Sequence, residues 1–295
     1  MIRYLASAII PARRPKIVGI VNITEDSFSD GGRYLATQDA LAHARQLRSE
    51  GADIIELGPA ASHPGAANVP AEDQRRRLAP VIEHLAADNI PVSVDSPVPG
   101  IQRFALAHGA AYLNDIHGFP DPGMYEQLSA AGCRLVVMHS VHRQEPVTKV
   151  ITEPAATWAA IDRFFADRLA VLRAAGIARE RLVIDPGLGY FLGANPEPSL
   201  AALAGIGQLK ARFGLPVLIS PSRKSFLRAV TGRDSEQIGA ATVAAELYAV
   251  GQGADYVRTH DVRALNDALT ILDAIARQVG WCERAPTPPS LPTPG

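Results

Sequence analysis

The chain has 295 residues, of which 47% are hydrophobic and 20% charged, and its formal net charge is −1. That length allows two modest domains or one barrel of ~250 residues with tails, and the composition is that of an ordinary folded protein. The charge balance excludes the basic face of a nucleic-acid binder, because the longest cationic run, Arg75-Arg76-Arg77, falls in a helical pattern and reads as a solvated surface.

Residues 1–15 are expected to form an N-terminal extension. Its apolar patch at 5–10 is too short for a signal-peptide core and precedes Arg13 and Arg14 instead of following them. From there short apolar runs alternate with segments of helical period. Strands are predicted at 16–23, 53–58, 91–95, 112–116, 134–139, 182–185, 216–220 and 256–260. The helical segments between them include 38–50, 72–87, 158–175, 200–213 and 236–251. The strand runs are apolar almost throughout, the mark of parallel strands covered on both faces. Gly51, Gly109, Gly132, Gly176, Gly214 and Gly253 stand where helices are expected to end, and glycine accepts the left-handed conformation there. Residues 281–295, with Pro286, Pro288, Pro289, Pro292 and Pro294, are expected to be a disordered tail. No stretch approaches the ~20 apolar residues of a membrane helix. The two cysteines, Cys133 and Cys282, are too few for a disulfide framework, and their scarcity fits a reducing cytoplasm.

Repeated β-then-α units imply a closed (β/α)₈ TIM barrel or an open doubly wound sheet. No Gly-x-Gly-x-x-Gly follows the first strand, which weighs against the dinucleotide-binding sheet. Polar residues also gather at the C-terminal ends of the runs: Asn22, Glu56, Asp95, Asn114, Asp115, His139, Asp185, Ser222, Arg223, Lys224, Arg258 and His260. Barrel enzymes carry their chemistry at that end. A single α/β barrel over 16–280 is therefore expected.

Within that set, the cations after strands seven and eight, Arg223, Lys224 and Arg258, suit a phosphate, which barrels often bind there; the plain alternative is exposed surface charge. Asp95, Asn114, Asp115 and Asp185 can read the hydrogen-bonding edge of a flat heterocycle, or they can act as loop caps. The polar first loop, 22–32, contains Phe28 and ends in Gly31-Gly32, a composition suited to a lid. Asn22 before it can hold Mg²⁺ or a phosphate oxygen, since Mg²⁺ takes few protein ligands.

Gly19-Ile20-Val21-Asn22-Ile23-Thr24, followed by Asp26-Ser27-Phe28-Ser29-Asp30-Gly31-Gly32, closely resembles the first signature of dihydropteroate synthases. So do Ser93-Val94-Asp95-Ser96, Asn114-Asp115-Ile116, Asp185-Pro186-Gly187-Leu188-Gly189, Ser222-Arg223-Lys224-Ser225 and Arg258-Thr259-His260, in family order. The resemblance implies a transferase that joins a pterin pyrophosphate to p-aminobenzoate with loss of pyrophosphate. It implies that Asp95, Asn114, Met138, Asp185 and Lys224 hold the pterin, with Asp95, Asp185 and Lys224 carrying the catalysis. Asn22, Arg258 and His260 would hold the pyrophosphate, with Mg²⁺ on Asn22. Ser222, Phe28, Ser62 and Phe191 would meet p-aminobenzoate. It further implies a cytoplasmic homodimer with small-molecule substrates and no nucleic-acid or membrane partner.

Two segments depart from the family pattern. Gly58-Pro59-Ala60-Ala61-Ser62-His63-Pro64-Gly65 replaces Gly-Gly-Glu-Ser-Thr-Arg-Pro-Gly, so His63 stands where an Arg is expected. The loop Leu188-Gly189-Tyr190-Phe191-Leu192-Gly193-Ala194-Asn195-Pro196-Glu197 is bulkier than the usual one. Both resemble the sulfonamide-insensitive branch. A pterin-binding methyltransferase is disfavoured by the cations expected at Arg223, Lys224, Arg258 and His260, and a catalytically silent pterin-binding paralogue is supported only by the altered Gly58 segment.

Overall fold

The computed structural model describes residues 13–23, 33–61, 64–66, 68–142 and 147–282. Eight strands form one sheet: β1 (Lys16–Asn22), β2 (Ile54–Gly58), β3 (Val92–Asp95), β4 (Tyr112–Asp115), β5 (Arg134–Met138), β6 (Leu182–Asp185), β7 (Leu218–Ile219) and β8 (Tyr256–Thr259). The order β6-β5-β4-β3-β2-β1-β8-β7 is parallel throughout. An isolated parallel bridge, Ile184 to Val217, joins β6 to the chain entering β7, with Ile184 N–H donating to the Pro216 carbonyl at 3.0 Å. The sheet thus closes on itself. Each predicted strand lies within two residues of its observed position, and the expected (β/α)₈ barrel is what forms.

The described helices are α1 (Arg33–Ser49), α2 (Ala71–Ala87), α3 (Pro99–Ala107), α4 (Tyr125–Ala130), α5 (Pro154–Ala174), α6 (Glu197–Ala204), α7 (Ile206–Phe213), α8 (Ser225–Thr231), α9 (Gly239–Gly251) and α10 (Val262–Cys282). Side chains alternate across a strand, so each strand serves two cores. Ile17, Val21, Ile55, Leu57, Leu113, Leu135, Val137, Ile184, Ile219 and Val257 point outward and pack with Leu41, Leu78, Leu85, Phe165 and Leu265 of the helices. Val18, Ile54, Tyr112, Val136, Val183, Leu218 and Tyr256, on the other face, fill the lower barrel. Burial of each such side chain contributes ~1.5–3 kcal/mol, which is why the apolar runs are nearly continuous.

Two local expectations are corrected. The segment 200–213 is not one helix, because Gly205 caps α6 and starts α7. The Trp158 indole lies where a Cβ on residue 205 would stand. Gly51, Gly109, Gly176, Gly214 and Gly253 have positive φ as expected, but Gly132 does not, since α4 ends on an extended Ala131. The N-terminal extension up to residue 12 and the tail from residue 283 lie outside the described residues.

Gly205→Ala forces the new methyl into Trp158 and should cost about 1–3 kcal/mol, read as a lower urea midpoint with an unchanged slope.

Candidate active site

One step of the alternation separates an apolar floor from a polar chamber. Two residues beyond Ile54, Tyr112, Val183 and Tyr256 stand Glu56, Asn114, Asp185 and Arg258; beyond Val136 stands Met138. In β3 the same face carries Ser93 and Asp95, paired in register with Glu56 and Asn114 of the flanking strands. The C-terminal halves of parallel strands thereby gather their polar side chains inside one barrel mouth.

At its centre is Arg258. Its Nη2 donates to Asp95 Oδ2 at 2.8 Å, and its Nε is in close contact with Glu56 Oε1. Glu56 Oε2 accepts from Ser93 Oγ at 2.9 Å and from Asn114 Nδ2 at 3.3 Å. Burial raises the Glu56 pKa and is only partly opposed by Arg258. For Arg258, burial disfavours the charge, yet Glu56, Asp95 and Asp185 hold its pKa above the usual value. Asn114 is fully buried, and its Oδ1 has no hydrogen-bond partner among the described residues. That oxygen is an acceptor ready for a ligand N–H.

A second wall comes from β6 and the loop after β7. Asp185 Oδ1 accepts from Gly187 N–H at 2.8 Å, and burial lifts the Asp185 pKa to about 6. Lys224 Nζ lies 4.7 Å from the centre of the Phe191 ring, and burial followed by Arg258 lowers its pKa to about 8, against the pull of Asp185. Phe191 packs with Ile116, Met138 and Val147 into an apolar patch beneath that cation. Gly187 has φ +76°, and a Cβ there would collide with the His139 carbonyl, so the turn after Asp185 requires glycine.

At the mouth, Ser222 Oγ lies 2.9 Å from His260 Nδ1 and accepts from His260 N–H at 3.2 Å. Burial, then Arg223, Arg258 and Lys224, lower the His260 pKa to about 3, so the imidazole is neutral at physiological pH. One proton is shared between ring and hydroxyl, and the pair presents one outward donor, Nε2–H or Oγ–H. Asn22 ends β1 with an exposed side chain beside Gly58, where a Cβ would come within 3.2 Å of Asn22 Oδ1. The glycine leaves that amide oxygen accessible.

Such a chamber, with Arg258 at its centre, Lys224 in its wall and carboxylates and an open amide beside them, suits an anionic group attached to a polar ring. A family model described as "Pterin binding enzyme" matches residues 18–260. The chain is 55% identical to the type-2 dihydropteroate synthase of Escherichia coli over 265 residues, covering 88% of this chain and 95% of that protein. The chain belongs to the dihydropteroate synthase family. It is also 46% identical to the type-1 enzyme of Mycolicibacterium fortuitum, covering 90% of this chain and 94% of that one. Among solved structures, the Xanthomonas albilineans dihydropteroate synthase with 4-aminobenzoic acid superposes with a TM-score of 0.82 at 38% identity, covering 89% and 93% of the two chains. The same enzyme in complex with 7,8-dihydropteroate gives 0.77 at 37% identity, covering 89% and 94%.

For this synthase the structure brings Asp95, Asn114, Met138, Asp185, Lys224, Phe191, Ser222, Arg258 and His260 to one end of the barrel, with Asn22 on its rim. Phe28, Ser62 and the expected lid at 24–32 lie outside the described residues. Three expectations change. Asp115 does not share the cavity with Asn114: as the next residue of the strand it faces outward, accepting from Gln102 Nε2 of α3 at 2.8 Å. Ser222 is buried and bonded to His260, so its hydroxyl is shared with that imidazole instead of standing free. His260, expected as a cation, is held neutral by burial and by the cations around it. His139, outside the chamber, contacts the Pro186 carbonyl at 3.2 Å and stacks edge-on to Phe164.

Two acids carry more than the sequence reading gave them. Glu56 was visible as a charge inside an apolar run, a signal that it needs a buried partner, but not as the bridge between Arg258 and Asn114. Glu246 of α9 is fully buried against Thr259, and burial raises its pKa to about 8. The folded protein therefore retains a proton on Glu246 that the unfolded chain, with the usual value of 4.5, releases. That contribution to stability is complete below pH 4.5 and declines as pH rises towards 8. Glu246→Gln should flatten the fall and raise stability at pH 7.5 by on the order of a few kcal/mol, measured by urea denaturation across that range.

Proposed function

We propose that this barrel catalyses the condensation of 6-hydroxymethyl-7,8-dihydropterin pyrophosphate with p-aminobenzoate, giving 7,8-dihydropteroate and pyrophosphate in folate biosynthesis. The observation that carries the reading is the direct bond between Arg258 and Asp95 inside the mouth, which supports assigning the diphosphate and the pterin to adjoining groups of one chamber. Asp95, Asn114 and Asp185 are assigned to the ring edge, with the open Asn114 Oδ1 accepting a ring N–H. Met138 and the Phe191 patch support the ring's apolar face, and Lys224 donates to it. Arg258 and His260 are assigned to the diphosphate.

The C–O bond from the pterin methylene to the diphosphate breaks, and the aniline nitrogen forms the new C–N bond. The nitrogen's proton passes to solvent or to the departing oxygen. Preorganised donors act where charge grows: Arg258 and the Ser222–His260 pair face the departing oxygen, while Asp95 and Asp185 offset positive charge developing on the pterin. Weak general-base help suffices, because the electrophile is strong.

Mg²⁺ fits the rim. Among the described residues no group of three or more His, Cys, Asp or Glu is placed to hold a metal, but Mg²⁺ takes one or two protein oxygens and completes its shell with phosphate and water. Asn22 Oδ1, left accessible by Gly58, would be its protein ligand. When bound, the ion neutralises charge on the leaving diphosphate. The reading also takes the working form as a cytoplasmic homodimer, supported by apolar side chains left on the outer helices, Tyr248, Ile271 and Ile275.

The loop after β6 supports insensitivity to sulfonamides. Its Phe191 carbonyl accepts from Val141 N–H at 2.9 Å, and Asn195 is bonded both ways to the Thr152 backbone at 3.0 Å. A bulky loop held this firmly admits a flat carboxylate and clashes with a larger sulfonyl substituent, a steric penalty against the wrong ligand. Sulfamethoxazole should compete at least ~100-fold more weakly than p-aminobenzoate binds; comparable affinities would refute the idea.

Pyrophosphate release from the two substrates tests the activity itself. Its kcat/KM for the pterin substrate should be bell-shaped in pH. It declines below about 6 as Asp185 gains a proton, and above about 8 as Lys224 loses one. Asp95→Asn should lower kcat/KM for the pterin by ~100-fold or more, and unchanged kcat and KM would remove Asp95 from the mechanism.

A further inference from the structure

Outside the barrel wall runs a chain of buried side-chain amides that the reaction does not use. Gln102 of α3 donates through Nε2 to the Ser96 carbonyl at 3.0 Å and to Asp115 Oδ2 at 2.8 Å. Ser96 Oγ donates to Gln74 Oε1 of α2 at 3.1 Å, and Gln74 Nε2 donates to the Val69 carbonyl at 2.9 Å. The other Asp115 oxygen accepts from His117 N–H at 2.8 Å. Gln74, Ser96, Gln102 and Asp115 are all 4% exposed or less.

Ser96 and Asp115 are the residues that immediately follow Asp95 and Asn114. We propose that Gln102, backed by Gln74, is a positioning residue that locks the ends of β3 and β4 and so fixes Asp95 and Asn114 against the pterin ring. Only a carboxamide serves at 102. It supplies two hydrogens from one nitrogen, one for a backbone carbonyl and one for a carboxylate, without adding charge. A glutamate there would set a second carboxylate against Asp115, and a leucine would leave Asp115 with a lost donor in a buried place. The chain also reaches Val69, next to the start of α2, so the brace ties the ends of β3 and β4 to that helix.

The inference rests on the assignment of Asp95 and Asn114 to the pterin, and the two can fail separately. Gln102→Leu should lower kcat/KM for the pterin substrate by about 10- to 100-fold, as a displacement of ~1 Å does in an active site, while KM for p-aminobenzoate stays within ~2-fold. Gln74→Leu, which removes both the acceptor for Ser96 and the donor to the Val69 carbonyl, should shift the pterin kinetics in the same direction by a smaller factor. Combining Gln102→Leu with Asp115→Asn should cost less than the two changes added together, because each removes the same bond. Unchanged pterin kinetics in a folded Gln102→Leu protein overturn the proposal. So does a rise of both KM values together with a lower melting temperature, the signature of general loosening. If Gln102→Leu does not fold, Gln74→Leu decides by the same split: a loss confined to the pterin substrate supports the brace, and unchanged pterin kinetics overturn it. If Asp95→Asn leaves the pterin KM and kcat untouched, the assignment falls; if Asp95→Asn is crippling and Gln102→Leu silent, only the brace falls.

Discussion

A guanidinium enclosed by two carboxylates organises this protein. Arg258 is 12% exposed, Glu56 1% and Asp95 13%, so little water reaches the three and their compensation comes from one another. Removing one member of such a group costs ~3–5 kcal/mol, because the others are left buried and uncompensated. The arrangement joins β8 to β2 and β3 across the barrel interior. It requires the sheet to curl, since only curvature turns the inner faces of β8, β2 and β3 towards one another. Ser93 and Asn114 complete the shell around Glu56 and extend it to β4. The grouping that gives the enzyme its electrostatics is therefore also a tie across the fold.

Strand alternation explains how one short stretch serves several purposes. Asn114 and Asp115 are neighbours in sequence, yet one enters the chamber and the other bonds to a helix outside it. Thr259 separates Arg258 from His260 in the same way, facing the buried Glu246 of α9. Polar residues on the inner face line the chamber; those on the outer face tie strand ends to helices. A substitution at an outer position reaches the chemistry only by moving its inner neighbour.

The barrel was legible because its strands are continuous apolar runs of the right length, and because polar residues mark one end of each. The site residues were legible as motifs and as strand-end punctuation. The orientation of Asp115 was not, since adjacent polar residues at a strand end carry no mark of which face each will take. The neutrality of His260 was also hidden: it follows from burial and from the cations Arg223, Arg258 and Lys224, which only the folded chain collects. The break at Gly205 depends on Trp158, forty-odd residues earlier, so no local pattern announces it.

The closing bridge between Ile184 and Val217 has a mechanical consequence. β7 spans only two residues, and a single bridge joins it to β6, where other neighbouring strands share longer ladders. Local opening is cheapest where backbone pairing is thinnest. That seam divides Asp185 from Ser222 and Lys224, whereas the amide brace stiffens the opposite arc. The cylinder is thus hinged on one side and splinted on the other, so any breathing at the seam changes the spacing of Asp185 from Lys224 and Ser222 while Asp95 and Asn114 keep theirs.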